Sequence, residues 1–280
     1  MRQEAYFCTV EELNSRGKDN IPQQLISHTH LIYSSPATLA FNSPGAEGFG
    51  VKRAGLAVPD SVMLIVSPGC CGRNTSVLSS MRAYQDRFYY LLMDETDIVT
   101  GRHLKKIPKA VAEICEGLKK KPSVVMICIT CVDALLGTDM ERVCHKAEEY
   151  AGVPVRPCYM YALTREGRKP PMVHVRQSVY SLLEPKKKKG NVVNLLGYFS
   201  PLTDDCELYD LLHGAGVKTI HEISRCKDYA QYQTMSEANF NLVLHPEARF
   251  AAEDFHDRLK IPYIELRRLY QIDKIASQYR

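Results

Sequence analysis

Short runs of apolar residues alternate along the chain with longer segments of helical periodicity. Residues 61–67 (SVMLIVS), 88–93 (FYYLLM) and 124–129 (VVMICI) are nearly continuous apolar runs, which is typical of strands buried on both faces. Residues 103–120 carry apolar side chains at every third or fourth position. This spacing predicts an amphipathic helix between the last two strands.

The rest of the first half continues this alternation. Residues 73–84 and 172–183 have helical patterns, and residues 153–157 (VPVRP) form a short predicted strand. Thr138 is followed three residues later by Glu141, a capping-box pattern in which each side chain bonds the other residue's backbone. We therefore expect a helix to start at Thr138.

The second half repeats a strand followed by a helix. The predicted strands are residues 191–198, 218–223, 240–245 and 262–266, and the helices that follow them are residues 204–213, 228–237, 248–259 and 269–279. This order indicates βαβ units, which require parallel strands and right-handed crossovers. The lysine-rich segment 184–191 (EPKKKKGN) predicts a solvated linker, so we expect an α/β protein with two domains, residues 1–185 and 186–280.

Composition and charge exclude several classes of protein. The chain has 280 residues, and its 36 Lys and Arg against 32 Asp and Glu give a net charge of +4, too small to favour a nucleic-acid partner. It contains no run of about 18 apolar residues, so no membrane span is expected. The first residues contain no apolar core of a secretion signal, so we expect a cytoplasmic protein.

The chain contains ten cysteines, more than packing requires. In a cytoplasmic chain most would be reduced and buried as small apolar residues, and Cys115 is expected to pack in this way. Two groups differ: Cys70 and Cys71 follow one predicted strand, and Cys128 and Cys131 lie at the end of another. Ligands of parallel sheets bind beyond the carboxyl ends of the strands, which makes these thiols candidates for chemistry.

The spacing of these cysteines leaves the chemistry open. Two thiolates suit an iron–sulfur cluster or zinc, both of which take four ligands. A thioredoxin-like pair normally starts a helix, whereas Cys128 lies in a predicted strand and is more typical of a core residue. The sequence contains no P-loop, no G-x-S-x-G elbow and no H-E-x-x-H motif.

Three segments together resemble the nitrogenase component 1 family, which includes the molybdenum–iron protein subunits, their assembly scaffolds and the related tetrapyrrole reductases. They are residues 43–72 (SPGAEGFGVKRAG…VMLIVSPGCCG), 94–107 (DETDIVTGRHLKKI) and 131–157 (CVDALLGTDMERVCHKAEEYAGVPVRP). Residues 241–245 (NLVLH) are similar to the strand that ends at the cofactor ligand of the catalytic members.

The resemblance implies a cluster site and a fold. It puts Cys71 and Cys131 at the family's cluster positions, with Cys70 and Cys128 as alternates, and His245 at the cofactor-ligand position. Two thiolates from each of two subunits would hold one [4Fe–4S] cluster. The fold implied is two Rossmann-like domains with parallel sheets flanked by helices, without the third domain of larger members.

The resemblance also implies partners and a function. The second subunit would be an identical copy or a paralogous component 1-like chain, and the reductant a separate ATP-dependent iron protein. The first hypothesis is therefore an oxidoreductase component that relays low-potential electrons to an unknown substrate, with His245 as the candidate catalytic residue. The alternative is a non-catalytic scaffold or carrier on which a metal cofactor is assembled, and a third is a metal-free Rossmann-like binding module.

Overall fold

The computed structural model describes Glu11, Glu12, Ser15 and residues 51–69, 82–130, 132–133, 136–160 and 169–266 of the chain. These residues form an α/β fold with two four-stranded parallel sheets, as the sequence predicts. Residues 73–81 of the helix predicted at 73–84, and the whole helix predicted at 269–279, lie outside the described residues. The last three residues of the first of these, Arg82–Tyr84, form a 3₁₀ turn. Among the described helices, none combines the length and the hydrophobicity needed to span a lipid bilayer.

The first sheet has the strand order β2-β1-β3-β4. Its strands are β1 (Val62–Ser67), β2 (Phe88–Leu92), β3 (Val125–Ile129) and β4 (Val155–Tyr159). The helices that follow them are α1 (Glu95–Thr100), α2 (His103–Gly117) and α3 (Met140–Ala151). Residues 51–55 are also helical. The side chains of β1 and β3 are buried throughout, because helices or loops cover both faces of the sheet.

The second sheet repeats the same order, β6-β5-β7-β8. Its strands are β5 (Val192–Leu196), β6 (Thr219–His221), β7 (Phe240–Val243) and β8 (Tyr263–Glu265). The helices are α4 (Pro171–Tyr180), which precedes β5, and α5 (Glu207–Gly214), α6 (Tyr229–Gln233) and α7 (Arg249–Leu259). Every described strand pair in both sheets is parallel.

Helix α4 lies between the two sheets and belongs to the core of both. Its buried residues Val175, Val179 and Tyr180 share one apolar cluster with Cys158 of β4 and Leu196 of β5. Tyr180 also packs edge-to-face on Phe255 of α7, with ring centroids 5.2 Å apart. The sheets lie on either side of the predicted boundary at residue 185, and the division into two domains there stays a prediction.

The predicted start of the third helix and the predicted linker both differ from the structure. The third helix starts at Met140 and not at Thr138, because the Asp139 carboxylate accepts the hydrogen bond from the Arg142 backbone N–H. The Thr138 hydroxyl instead donates to Oδ1 of Asp133, at 3.1 Å. The segment 184–191 is also not fully solvated, since Nζ of Lys188 donates to the carbonyl of Ser236 at 2.6 Å.

Candidate functional site

Each sheet has a point where the chain changes its direction of winding. In the first sheet this switch point lies between β1 and β3, and in the second between β5 and β7. Helix N-termini and loops diverge at such points and leave a crevice at the carboxyl ends of the two central strands, where ligands bind. The segments with the predicted site residues follow three of these four strands, β1, β3 and β7.

The predicted cluster cysteines follow the two strands of the first switch point in the sequence. Cys70 and Cys71 come three and four residues after the end of β1, and Cys131 comes two residues after the end of β3. All three lie outside the described residues. The described parts of β1 and β3 pair in register from Val62 and Val125 onward, so both loops start at one edge of the sheet.

The last residues before these loops carry buried hydroxyl groups. Ser67 is 0% exposed and Thr130 is 3% exposed. Neither Ser67 Oγ nor Thr130 Oγ1 has a hydrogen-bond partner within the described part of the chain. A buried hydroxyl without a hydrogen-bond partner is unfavourable, so such a group commonly marks a place where a ligand, an ion or a water molecule binds. These hydroxyls fit a polar or ionic group bound at the first switch point.

The alternate ligand Cys128 lies in the core and not at the edge of the sheet. It is 0% exposed in β3 and lies opposite Cys158 of β4. The Cys158 thiol donates a weak hydrogen bond to the carbonyl of Val51, with a distance of 3.6 Å between Sγ and O. The neighbouring Cys128 and burial raise the pKa of Cys158 well above its ordinary value. The Cys158 thiol therefore stays protonated, and both buried side chains pack as apolar groups.

Other described cysteines show the same behaviour. Cys115 and Cys144 are buried in α2 and α3, and burial raises the pKa of each thiol. Across the described ranges, no three His, Cys, Asp or Glu side chains converge as they would around a metal ion.

A buried polar network that sequence reasoning missed holds the loop after β3. His103 Nε2 lies 2.9 Å from Asp133 Oδ1, and His103 Nδ1 lies 3.0 Å from the carbonyl of Asp97. The side chains of His103 and Asp133 are 1% and 0% exposed. Asp133 comes two residues after Cys131, so this network fixes the backbone next to the candidate ligand.

The other end of the network lies in the segment 94–107, at the start of helix α1. Asp94 and Asp97 form a reciprocal capping box at the start of α1. The buried Asp97 carboxylate also accepts from Arg102 and Lys106, each at 2.7 Å. These two cations hold the pKa of Asp97 well below its usual value. One signal could have revealed the network: His103 lies four residues before Ile107, on the apolar face of α2.

His245 lies at the second switch point, two residues after β7. It is the N-cap of a short 3₁₀ turn, and its Nδ1 accepts from the backbone N–H of Glu247 at 3.3 Å. Its ring packs edge-to-face on Tyr198, with centroids 5.8 Å apart, and its side chain is 37% exposed. The half-exposed ring can therefore reach a ligand beyond the strand end.

Gly197 fixes the position of His245 by close approach. Gly197 follows β5 with φ of 141°, and a Cβ built on it would lie 2.7 Å from the backbone N of His245. The backbone N–H of Leu244 donates to the carbonyl of Leu196 at 2.7 Å, which brings the two strand ends together. Only glycine fits here, because any side chain would push the His245 backbone away.

Arg176 of α4 holds both sides of the His245 turn. Its guanidinium donates to the carbonyl of Gly197 at 2.6 and 3.1 Å and to Oε2 of Glu247 at 2.8 Å. The side chain is 5% exposed, and burial lowers the pKa of Arg176. The sequence pattern did not single out Arg176, because its partners lie 21 and 71 residues away.

A cleft of about 640 Å³ opens between the amino end of the first sheet and the carboxyl end of the second. The residues that line it include Arg53, Tyr84 and Arg87 from the first half and Phe199, Ser200 and Lys227 from the second. The Arg87 guanidinium is committed to the carbonyls of Leu56 and Ser61. Arg53 and Lys227 bring exposed positive charge to this cleft, and the lining carboxylate of Asp60 is already paired with Lys120, so the balance favours an anionic ligand. Phe199 and Ser200 of the cleft follow β5, and His245 is not among the lining residues.

Comparison with known proteins gives a consistent result. The family model described as "Nitrogenase component 1 type Oxidoreductase" matches residues 47–280. The nitrogenase iron-molybdenum cofactor biosynthesis protein NifE of Nostoc sp. is 27% identical over 217 residues, which cover 74% of this chain and 44% of the relative. NifE of Rhizobium meliloti is 27% identical over 224 residues, with 77% and 47% covered. The chain spans about half the length of these relatives.

Solved structures share the fold. A structure titled "Nitrogenase Cp1 at pH 6.5" superposes with a TM-score of 0.62 and 17% identity, covering 90% of this chain and 59% of the other. A second, titled "Nitrogenase Cp1 at pH 5", gives a TM-score of 0.55 and 21% identity, covering 76% and 46%. Because the family model covers most of the residues, the chain belongs to the nitrogenase component 1 type oxidoreductase family.

Proposed function

We propose that this chain binds an iron–sulfur cluster at its first switch point and holds a metal–sulfur cofactor at its second while that cofactor is assembled. The observation that supports the proposal is the strand order that the two sheets share, because a switch point of this kind favours ligand binding at the carboxyl ends of the central strands. In the sequence, the candidate cysteines follow β1 and β3 of the first sheet, and His245 follows β7 of the second.

The cluster is assigned to Cys71 and Cys131 of two subunits. Each chain supplies two thiolates, so a second copy or a paralogous component 1-type chain completes the four ligands of a [4Fe–4S] cluster. Cys70 is the alternate to Cys71. The buried Cys128 thiol supports a packing role, which leaves Cys131 as the ligand after β3. When bound, the cluster supplies one-electron redox chemistry.

The second site is assigned to a cofactor carried by the protein. The imidazole of His245 can ligate a metal, and Arg53 and Lys227 can pair with anionic groups of the cofactor. Arg176 and Gly197 hold the His245 turn, so the imidazole is oriented before the ligand arrives. A scaffold must later release the cofactor that it carries, and coordination of the cofactor by a single imidazole allows this release. The relatives named as cofactor biosynthesis proteins favour this assignment.

A second candidate function is electron relay to a substrate. In this case an ATP-dependent iron protein would reduce the cluster, and the substrate would bind in the basic cleft with His245 as the proton donor. The family's description as oxidoreductases favours it. Both functions require the cluster. They differ in whether a substrate is converted at the second site.

Anaerobic purification followed by iron and sulfide analysis and EPR spectroscopy tests the cluster. We expect about four irons per dimer, lost in Cys71→Ser and Cys131→Ser and kept in the buried control Cys115→Ser. A wild-type chain that stays free of iron after reconstitution would overturn the proposal. Turnover with a reductase and ATP would favour electron relay, and transfer of bound metal to an acceptor protein without turnover would favour the scaffold.

A further inference from the structure

Ser67 and Thr130 form a pair of buried hydroxyls at the first switch point. The last registered residues of β1 and β3 are Val66 and Ile129, so Ser67 and Thr130 follow as neighbours in the same register. Strand alternation puts both side chains on the face of the sheet that carries Ile65 and Cys128. The two hydroxyls thus belong to one small area of the sheet edge.

The backbone groups at these positions form hydrogen bonds with neighbouring strands, but the side-chain hydroxyls take no part in them. The carbonyl of Ser67 accepts from the backbone N–H of Met93 at 3.1 Å, and the carbonyl of Ile129 accepts from Met160 at 3.1 Å. Both strands are therefore paired up to their ends. Ser67 Oγ and Thr130 Oγ1 nevertheless bond to nothing in the described ranges. By contrast, the equally buried Ser236 donates its hydroxyl to the carbonyl of Gln233 at 2.8 Å.

Hydroxyl groups at this place are poor choices for stability alone. Valine has nearly the shape of threonine, and alanine is serine without its Oγ, so either replacement would bury no unpaired polar atom. Local rules of this kind are broken at functional sites, where stability is given up for binding. Thr130 directly precedes Cys131, and Ser67 lies three residues before Cys70.

We propose that Ser67 and Thr130 donate hydrogen bonds to the sulfur atoms of the cluster held by Cys71 and Cys131. This inference rests on the proposed function. Thiolate and sulfide sulfurs of iron–sulfur clusters accept hydrogen bonds, and each donor stabilises the reduced, more negative state. The two hydroxyls therefore raise the reduction potential of the cluster and slow the loss of iron.

The proposal makes opposite predictions for the apo and the cluster-bound protein. In the apo protein, removing an unpaired buried hydroxyl leaves stability unchanged or increases it. In the cluster-bound protein, the same change removes a hydrogen bond to sulfur. If an ordered water molecule bonded the hydroxyls in the apo protein, the variants would lower the stability of the apo protein, because the water molecule would lose its hydrogen-bond partner.

The test uses Ser67→Ala and Thr130→Val in the full chain, with two controls. Thr130→Ser keeps the hydroxyl, and Ser236→Ala removes a bonded hydroxyl of similar burial away from the sheet edge. Urea denaturation of the apo protein, the cluster's reduction potential and the rate of iron loss to a chelator are measured for each.

We expect Ser67→Ala and Thr130→Val to keep or raise the apo midpoint, to shift the potential to more negative values, and to lose iron about tenfold faster. Thr130→Ser should behave as wild type, and Ser236→Ala should lower the apo midpoint without changing the potential. An unchanged potential and iron-loss rate in both edge variants, or a lowered apo midpoint in both, overturns this inference alone. A wild-type chain that takes up no iron overturns the proposed function together with it.

Discussion

His103 and Asp133 lie thirty residues apart in the chain, and their side chains meet with 2.9 Å between Nε2 and Oδ1 at a site that excludes water. The contact joins the first turn of α2 to the loop that carries Cys131. Asp133 Oδ1 also accepts from the Thr138 hydroxyl, so Asp133 is bonded both to α2 and to the residues that lead into α3. These buried hydrogen bonds hold the backbone two residues after Cys131 in the sequence. Hydrogen bonds of this kind commonly orient the ligands of a metal site.

Breaking this contact should destabilise the protein strongly. His103→Ala and Asp133→Ala are each expected to lower the free energy of unfolding by about 3 kcal/mol, because each removes a buried hydrogen bond and leaves the remaining partner with one bond fewer. The double variant should lose less than the sum of the two, as measured by urea denaturation in a double-mutant cycle. His256→Ala is the matched control, since His256 is exposed next to Asp257. Strictly additive effects would contradict a direct interaction.

Asp97 should make the stability depend on acid pH. Its folded pKa is depressed by Lys106 and Arg102, so its contribution is fully present above the unfolded value of about 3.9. That contribution is lost as the pH falls below this value toward the lower folded pKa. We expect unfolding free energies measured between pH 7 and pH 2 to fall less steeply in Asp97→Asn than in wild type.

Lysine variants provide the control for this titration. Lys106→Met removes an ion pair of 2.7 Å, which brings the folded pKa of Asp97 closer to the unfolded value, so the acid loss of stability should be smaller and should end at a higher pH. Lys105→Met, one residue away, removes a lysine that has no contact with Asp97 in the described structure and should leave the profile unchanged. Identical profiles for the two lysine variants would argue against the assigned cause.

Gly197→Ala should displace His245. The added Cβ would lie 2.7 Å from the His245 backbone N, and φ of 141° is unfavourable for alanine, so we expect a loss of about 3 kcal/mol in unfolding free energy. Gly216→Ala is the control, because Gly216 also has a positive φ, of 87°, but no atom near the added Cβ among the described residues. It should cost only about 1 kcal/mol. Equal losses would show that the contact with His245 contributes nothing.

His245→Ala should separate the two sites. The variant should keep the iron content and the EPR spectrum of the cluster, because His245 belongs to the other switch point. It should lose binding of the cofactor or substrate at the second site, measured as metal retained beyond the cluster iron. His213→Ala is a suitable control, since His213 is an exposed histidine of α5 in the same half of the chain. A His245 variant that loses the cluster, or retains the full metal content, would return this residue to a structural role.

The sheets were predictable because parallel strands that are buried on both faces have continuous apolar sequences. Val62–Ser67 and Val125–Ile129 match the predicted strands to within one residue. β4 was displaced: the predicted strand 153–157 lies two residues early, because Cys158 and Tyr159 continue the pairing with Cys128 and Ile129. Apolar periodicity alone could not fix that register, since residues on both sides of Pro157 suit a strand.

The site was predictable only in part. Parallel strands place His245 at a carboxyl end from sequence alone, and the family resemblance adds Cys71 and Cys131, which lie outside the described residues. The contacts of Arg176 with Gly197 and Glu247 could not be predicted, because they join residues brought together only by the packing of α4. Periodicity reports burial within one element and carries no information about partners in another.

The position of α4 in the core of both sheets has a consequence for how the protein unfolds. Removing α4 from the second sheet would expose Val179 and Tyr180 to water and break the hydrogen bond from the Tyr232 hydroxyl to the carbonyl of Val179. Neither sheet can therefore melt while the other keeps all its native contacts, and the described fold should unfold in one cooperative transition. A destabilising substitution at the edge of either sheet then lowers the stability of both sheets. A variant of one site is therefore expected to unfold the other site more often as well.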